Sequence, residues 1–438
     1  MQDFISKMLN IKDINIDFEK KVDIKNYKGV LSQFYYGELS YNPKECTCCG
    51  EANINHQIIK MGKKKSRITL PHISEYPAYL LLKKQRFYCK SCAQYFTAET
   101  PVVNKYCFIS NNSRLAILHK AQDICSESSI ASSYSVSPVT VSRFIDEAAE
   151  SIQLSPDSSL PEHILMDEFK SVKNVSGSMS FIYVDALTHR IIDIVENRRL
   201  RSLKDYFYRF SLNDRQRVQT VTIDMYEPYM NLIKEVFPNA KIIIDRFHIV
   251  QALNRALNMA RVTAMNTFRS INRPLYNKYK RYWKLLLAPQ ETLELFEYRK
   301  VALFKSWKTE KGIIDYILEQ DPVLKNTYSV VNQLRYYIKN NDISSLKAYL
   351  EEVQLSMVYP KLQTVIRTFK KYILMIENTI EYKNITNGPI EGINNKIKLI
   401  KRVSFGYRNY NHLRNRIILC SRLYASTTKK EVKQSEIA

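Results

Sequence analysis

Acidic residues are in short supply in this chain. Its 438 residues include 43 Asp and Glu against 66 Lys and Arg, a formal net charge of +23. The resulting pI near 9.5 is foreign to an ordinary metabolic enzyme. Positive charge on this scale favours a polyanion, either nucleic acid or an anionic membrane surface. Long apolar runs are also missing, and none approaches the roughly 20 residues that span a bilayer. The opening residues, Met1 to Lys7, have neither the apolar core nor the small-residue cleavage site of a secretory signal. Nucleic acid is therefore the expected partner, and the cytoplasm the expected location. Glycine is scarce too, nine in all, and nearly absent from 261–385.

What is present is a chain able to build real cores. Hydrophobic residues make up 45% of it, and its length suggests two to four domains. The basic charge is spread through segments that read as folded. Residues 46–92 carry nine Lys and Arg against two acids, 261–310 carry eleven against four, and 391–420 carry seven against Glu391 alone. That distribution predicts a long footprint on a polyanion rather than a disordered arm.

Eight cysteines occur, and four of them form a pattern: Cys46-x-x-Cys49 and Cys89-x-x-Cys92. Two such knuckles are the usual frame of a tetrahedral thiolate zinc site. Four thiolates leave no open coordination position, so this zinc is expected to be structural. Cys48 competes beside Cys49, and His56 or His72 could substitute. The segment between the knuckles must then fold as a small β-rich insert, whose Lys63, Lys64, Lys65 and Arg67 could lie on phosphates. Cys107, Cys125 and Cys420 read as packing residues.

Residues 127–145 have the pattern of a helix-turn-helix. Ile130 and Ala131 face inward from a first short helix, and Ser135 and Val136 make the turn, with serine where glycine is usual. Ser137 is a good N-cap with Pro138 at the first helical position, where its missing N–H costs nothing. Val141 and Ile145 recur at helical spacing as the buried side. Ser137, Thr140, Ser142 and Arg143 are left for the major groove or for phosphates.

After a linker-like stretch at 153–161, short apolar runs at 164–169, 180–185 and 190–195 read as three strands. A helix over 199–210, a fourth strand over 219–224, a helix over 227–236 and a fifth strand over 241–245 follow. This βββαβαβα order is that of an RNase H-like core, in which acids ending the first and fourth strands become neighbours. Those acids are Asp167 and Asp224. Glu391 enters a basic helix much later, within Asn387-Gly-Pro-Ile-Glu-Gly-Ile-Asn-Asn-Lys396. Two strand-end aspartates and one helical glutamate can hold a pair of magnesium or manganese ions, since hard cations prefer carboxylate oxygens. Such a pair suits an in-line phosphodiester displacement. Asp245 and His248 open the next helix and are expected to support the site. Asn394 and Lys398 share a helical face with Glu391 and are expected to touch phosphate. Residues 261–385 read as a helical insertion whose aromatics, with both tryptophans, are expected in its core.

Taken together, the two knuckles, the helix-turn-helix, Asp167-Glu-Phe169, Asp224-Met225, Asp245-Arg-Phe-His248 and the Asn387–Lys398 motif resemble a bacterial insertion-sequence transposase of the DDE class, most closely the ISL-three family. The resemblance covers nearly the whole chain. It implies a multidomain α/β protein: lead-in 1–40, zinc finger 41–105, helix-turn-helix 106–155, RNase H-like core 160–260, helical insertion 261–385, last core helix 386–425 and a flexible tail 426–438. It also implies a metal-binding triad of Asp167, Asp224 and Glu391 acting on double-stranded DNA at the element's terminal inverted repeats and on target DNA, in a homo-oligomer when the ends are paired. Two other classes compete. A DNA-binding regulator or domesticated remnant without chemistry would need only the finger and the helix-turn-helix. A tyrosine recombinase would need a nucleophile such as Tyr407 or Tyr410 served by an Arg/His cluster near His412.

Overall fold

The computed structural model describes residues 2–150 and 159–422. The tail expected at 426–438 and most of the expected linker lie outside the described residues. The chain divides into two compact units. The first takes residues 1–153, 172–174 and 395–438, and the second takes 154–171 and 175–394.

The first unit begins with a helix, Gln2–Met8, and a sheet of five strands: β1 (Ile16–Tyr27), β2 (Val30–Leu39), β3 (Ile58–Ile73), β4 (Tyr76–Cys89) and β5 (Tyr95–Thr97). The strand order is β1-β2-β4-β3, with β5 added on β4. The residues expected as a lead-in thus supply a helix and two strands of the sheet that carries the knuckles. Both hairpins turn on two residues with positive φ, Lys28-Gly29 and Ser74-Glu75. That geometry matches the right-handed twist of the strands it joins. Alternation on β4 buries Ala78, Leu80 and Leu82 against Ile68, Leu70 and Phe18. The edge strand β3 leaves Lys63, Lys64 and Lys65 exposed. Lysine on an edge also discourages strand pairing with another chain.

Three helices follow, Asn111–Lys120, Glu127–Ser133 and Pro138–Glu150. The last two are the expected helix-turn-helix, with Ser135 at φ 53° in the turn. The Ser137 hydroxyl caps the second of them by accepting from Thr140 N at 3.2 Å. Ile130, Ala131, Val141 and Ile145 are buried as expected, and Leu419 from the helix Tyr410–Arg422 joins their core.

The second unit is built on a sheet of β6 (His163–Lys170), β7 (Met179–Asp185), β8 (Ile191–Val195), β9 (Thr220–Ile223) and β10 (Lys241–Ile244), ordered β10-β9-β6-β7-β8. The β6–β7–β8 part is antiparallel, while β6–β9 and β9–β10 are parallel. The first and fourth strands are therefore neighbours. The strands β6, β9 and β10 bury Ile164, Met166, Val221, Ile223 and Ile244 with Phe207, Ile233 and Leu253 of the flanking helices. Such near-continuous apolar runs mark strands covered on both faces.

A long helix, Arg246–Ile271, leaves the sheet and leads into seven further helices that end at Glu381. The stretch between Leu287 and Glu310 holds only one short 3₁₀ turn and a two-residue bridge, Arg299 to Lys308. This corrects the expectation for the aromatics. Tyr279 and Tyr328 are buried, but Trp283 is 41% exposed and Trp307 64%. Without a regular helix there is no apolar stripe to turn Trp307 inward. The Asn387 motif opens the helix Gly388–Val403, and the division between the units falls inside it, after Asn394.

Candidate active site at the strand ends

Asp224 and Asp245 directly follow β9 and β10, whereas Asp167, expected at a strand end, lies within β6 opposite Ile182 of β7, just past the last β6–β9 rung. Leu165 of β6 pairs with Thr222 of β9, which sets Asp167 and Asp224 two residues beyond that rung. Ile223 pairs with Ile244 of β10, so Asp224 and Asp245 follow side by side. The carboxyl ends of parallel strands are where open α/β sheets bind ligands. Here Asp167 Oδ1 accepts from the Glu168 N–H at 2.7 Å, and Oδ2 accepts from Asn394 Nδ2 at 2.7 Å. Burial raises the Asp167 carboxyl to about 6, with the negative charge of Asp224 adding to the rise and the Glu168 N–H opposing it.

His248 lies one turn into the helix after β10. Its Nε2 is 2.8 Å from Asp224 Oδ1 and 3.9 Å from Asp245 Oδ2. This close contact with Asp224 is the main cause of its raised pKa. Asp245 caps the same helix through Phe247 N at 3.4 Å, and burial pushes its carboxyl up. Asp245 and His248 thus stand beside Asp224, with His248 in contact.

Glu391 is exposed in the first turn of its helix. Asn387, Glu391 and Asn394 fall at i, i+4 and i+7, on one helical face. The Asn387 N–H bonds to Asp245, and the Asn394 amide bonds to Asp167. Glu391 therefore lies between two contacts that tie its helix to the strand ends. Asn394 is buried, 7% exposed, and its Nδ2 donates to Asp167. The sequence had suggested phosphate contact for this residue. Lys398 is exposed and bonds Asn395 Oδ1 at 3.2 Å.

The sequence reading missed Glu168, Arg198 and Tyr229. The Glu168 carboxylate is held between the Arg198 guanidinium and the Tyr229 hydroxyl. With Asp167, Asp224 and His248 they line a cavity of about 460 Å³. One signal was available: His248, Gln251 and Arg255 recur at helical spacing, and all three line that cavity.

A hard divalent cation fits this donor set. Two carboxylates crowd together, one of them raised in pKa by burial and by its neighbour, and a cation would relieve both effects. The Asn387 and Asn394 Oδ1 atoms, on the helix of Glu391, are buried without a hydrogen-bond partner. Among the described residues, however, the only group of three or more His, Cys, Asp or Glu side chains whose potential ligand atoms all lie within 4.8 Å of one another is Cys46, Cys49, Cys89 and Cys92.

That cluster belongs to the first unit. Cys46 Sγ is 3.8 Å from Cys92 Sγ, and Cys49 Sγ is 3.8 Å from Cys89 Sγ. Four sulfurs at ~2.3 Å from a tetrahedral zinc would stand about 3.8 Å apart. The cluster therefore suits a structural zinc. Cys48 lies outside it, its N–H 3.4 Å from Cys46 Sγ. His72 is engaged by Ser135 Oγ at 2.9 Å, so neither competes in this arrangement. Cys107 is exposed and is not the packing residue expected, whereas Cys125 and Cys420 are half-buried.

The remaining DNA-binding candidates divide. Lys64, Lys65 and Arg143 are exposed. Lys63 pairs with Glu38, and the Arg67 guanidinium lies over the Tyr27 ring at 4.6 Å. Ser137 and Thr140 hydroxyls bond each other at 2.9 Å, and Ser142 is half-buried, 3.5 Å from His412 Nδ1. Tyr407 is half-buried, with its hydroxyl pushed up to about 12 by burial and 3.1 Å from the Ser404 hydroxyl.

Residues 164–417 match a family described as transposase, of the ISL-three type. Among curated relatives, a Lactococcus lactis protein named ATP-dependent protease is 28% identical over 218 residues, 49% of this chain and 65% of that protein. No Gly-x₄-Gly-Lys-Ser/Thr sequence occurs in the present chain. The transposase of insertion sequence element IS1001 from Bordetella parapertussis is 24% identical over 349 residues, 77% of this chain and 80% of its own length. The transposase of IS1557 from Mycobacterium tuberculosis is 22% identical over 240 residues, 52% of this chain and 53% of its own length. The chain thus spans less than two thirds of the first and third of these relatives. The family match runs from the strand of Asp167, through Asp224 and Glu391, to the helix that closes the helix-turn-helix core, and the chain belongs to the ISL-three family of insertion-sequence transposases.

Proposed function

We propose that the protein binds the ends of its element and cuts and joins DNA strands at Asp167, Asp224 and Glu391. The observation that carries this reading is the placing of Asp167 and Asp224 each two residues past the last rung between the neighbouring strands β6 and β9, with Asn394 tying the helix of Glu391 to Asp167. Asp167, Asp224 and Glu391 would hold magnesium or manganese, two ions in the full reaction. Bound there, the cations supply Lewis-acid stabilisation of the phosphoryl oxygens and ease deprotonation of the attacking hydroxyl.

The protein's own residues prepare the site. His248 orients Asp224, and Asn394 with the Glu168 N–H fixes Asp167. In the first step a water oxygen attacks the phosphorus at the element end, and the 3′-oxygen leaves as a hydroxyl. In the second, that 3′-hydroxyl attacks a target phosphodiester and displaces its 3′-oxygen. No bond between protein and DNA forms. The four thiolates hold a structural zinc that fixes the sheet bearing Lys64 and Lys65. The helix-turn-helix supplies recognition of the terminal repeats, and two DNA ends brought together require at least two copies of the chain.

The test is incubation of the full chain with labelled DNA from its element's ends, with magnesium or EDTA. Magnesium-dependent nicking that leaves a 3′-hydroxyl, abolished by Asp167→Asn and Asp224→Asn with DNA binding intact, is expected. Cleavage that survives both substitutions would overturn the assignment.

A further inference from the structure

The cavity beside Asp167 and Asp224 is larger and more apolar than a phosphate requires. Its volume of about 460 Å³ lies in the range of sites that enclose small organic ligands. Met179 and Met225 contribute apolar wall, and Tyr226 contributes an aromatic ring. That ring is 53% exposed although it packs edge-on against Tyr229 at 5.3 Å. The Tyr229 hydroxyl is itself fixed by Glu168, and the Tyr226 N–H bonds Asp224 O at 2.7 Å. The ring is therefore held at its edge and backbone while much of its surface stays free.

Polar groups face the same space from the helix of His248. Gln251 offers an amide with both donor and acceptor. Arg255, one turn further, is exposed, and no ion pair to it is found among the described residues. A ring, an amide and an unpaired guanidinium match the three parts of a nucleotide: base face, base edge and phosphate.

We propose that this cavity receives one unstacked nucleotide of the element end, adjacent to the phosphodiester that is cut, with its base on the Tyr226 ring. A base inside a duplex offers no face to such a recess, so the nucleotide must leave the stack to enter it. The carboxylates on the cavity wall then meet a phosphate whose position is set by the captured base. This rests on the reading of Asp167 and Asp224 as the cutting site.

The test measures binding and cleavage separately. The full-length Asp167→Asn protein is titrated with element-end duplexes carrying a single mismatch at each position around the cleavage site. Extrusion is cheapest for a base that is already unpaired. A mismatch at one position is therefore expected to tighten binding, on the order of tenfold, and Tyr226→Ala in the same background to remove that gain. Loss of stacking by Tyr226→Ala is also expected to weaken binding of the matched duplex about tenfold, whereas Tyr226→Phe retains both effects. If no mismatch tightens binding, or if the gain is unchanged by Tyr226→Ala, the cavity does not hold the base and serves hydrated cations alone. A mismatch effect in a protein whose wild type cuts nothing would leave the pocket standing and overturn the cutting site. Failure to bind any element end would overturn both.

Discussion

Asn394 shows how much a single side chain can set. It is buried, and its amide reaches Asp167 from the helix that carries Glu391. Asn394→Ala is expected to leave DNA affinity within about twofold and to lower strand cleavage by on the order of 10²-fold, the scale of a misplaced catalytic group. Gel-shift and nicking assays on one preparation separate the two effects; equal loss of both would make Asn394 merely structural. Asp167 gives a second prediction. Its carboxyl is raised to about 6 by burial, above the ordinary value. A raised pKa contributes stability that is complete below the unfolded value near 4 and lost as pH rises through about 6. In metal-free protein, Asp167→Asn should therefore raise stability at pH 8 by roughly 2 kcal/mol, with the gain fading toward pH 4. Denaturant melts at the two pH values, with and without magnesium, check the sign. A destabilised Asn variant at pH 8 would contradict it.

Among the elements, the helix-turn-helix carries the least expected feature. Its core is completed by the helix Tyr410–Arg422, far along the chain. Asp146 accepts from Asn415 at 2.8 Å and lies 2.6 Å from His412 Nδ1. Arg416, 1% exposed, donates to the carbonyls of Asp123 and Cys125. Arg416→Ala removes a large buried side chain and strands two carbonyls, a loss of about 3 kcal/mol. It should abolish element-end binding in a gel shift, while Arg408→Ala, at an exposed site, should not affect folding. The four-cysteine cluster supplies a parallel test. The purified chain should contain one zinc, and Cys89→Ser should release it together with the DNA affinity that depends on that sheet; metal analysis showing no zinc in active protein would refute the assignment. The helix-turn-helix was legible because its caps and apolar spacing are local. The closing helix was not, since Leu419 and Arg416 show only as helical residues until the fold brings them back. The knuckles were legible by spacing, and so were the five core strands and their order. The cavity residues Arg198, Tyr226 and Tyr229 stood in no pattern, because their grouping depends on where helices land.

At the scale of the whole molecule, the charge of +23 ties the units to one kind of partner. No helix among the described residues is long and apolar enough to cross a membrane. If six or more phosphates are contacted, affinity for DNA should fall by about 10³-fold between 50 and 200 mM salt. A shallow salt slope would leave the basic surface without its assigned role. Membership of the ISL-three family agrees with the motif order read from the sequence. What the family match leaves to experiment is the chemistry at the strand ends. The most direct measurement uses an element end whose leaving 3′-oxygen at the cut phosphodiester is replaced by sulfur. Magnesium is a poor partner for sulfur, and manganese a better one. Cleavage of the sulfur substrate should be lost in magnesium and restored in manganese, with the oxygen substrate cut in both. Equal cleavage of the sulfur substrate in the two metals would contradict a metal ion at the leaving group, and with it the role given to Asp167, Asp224 and Glu391.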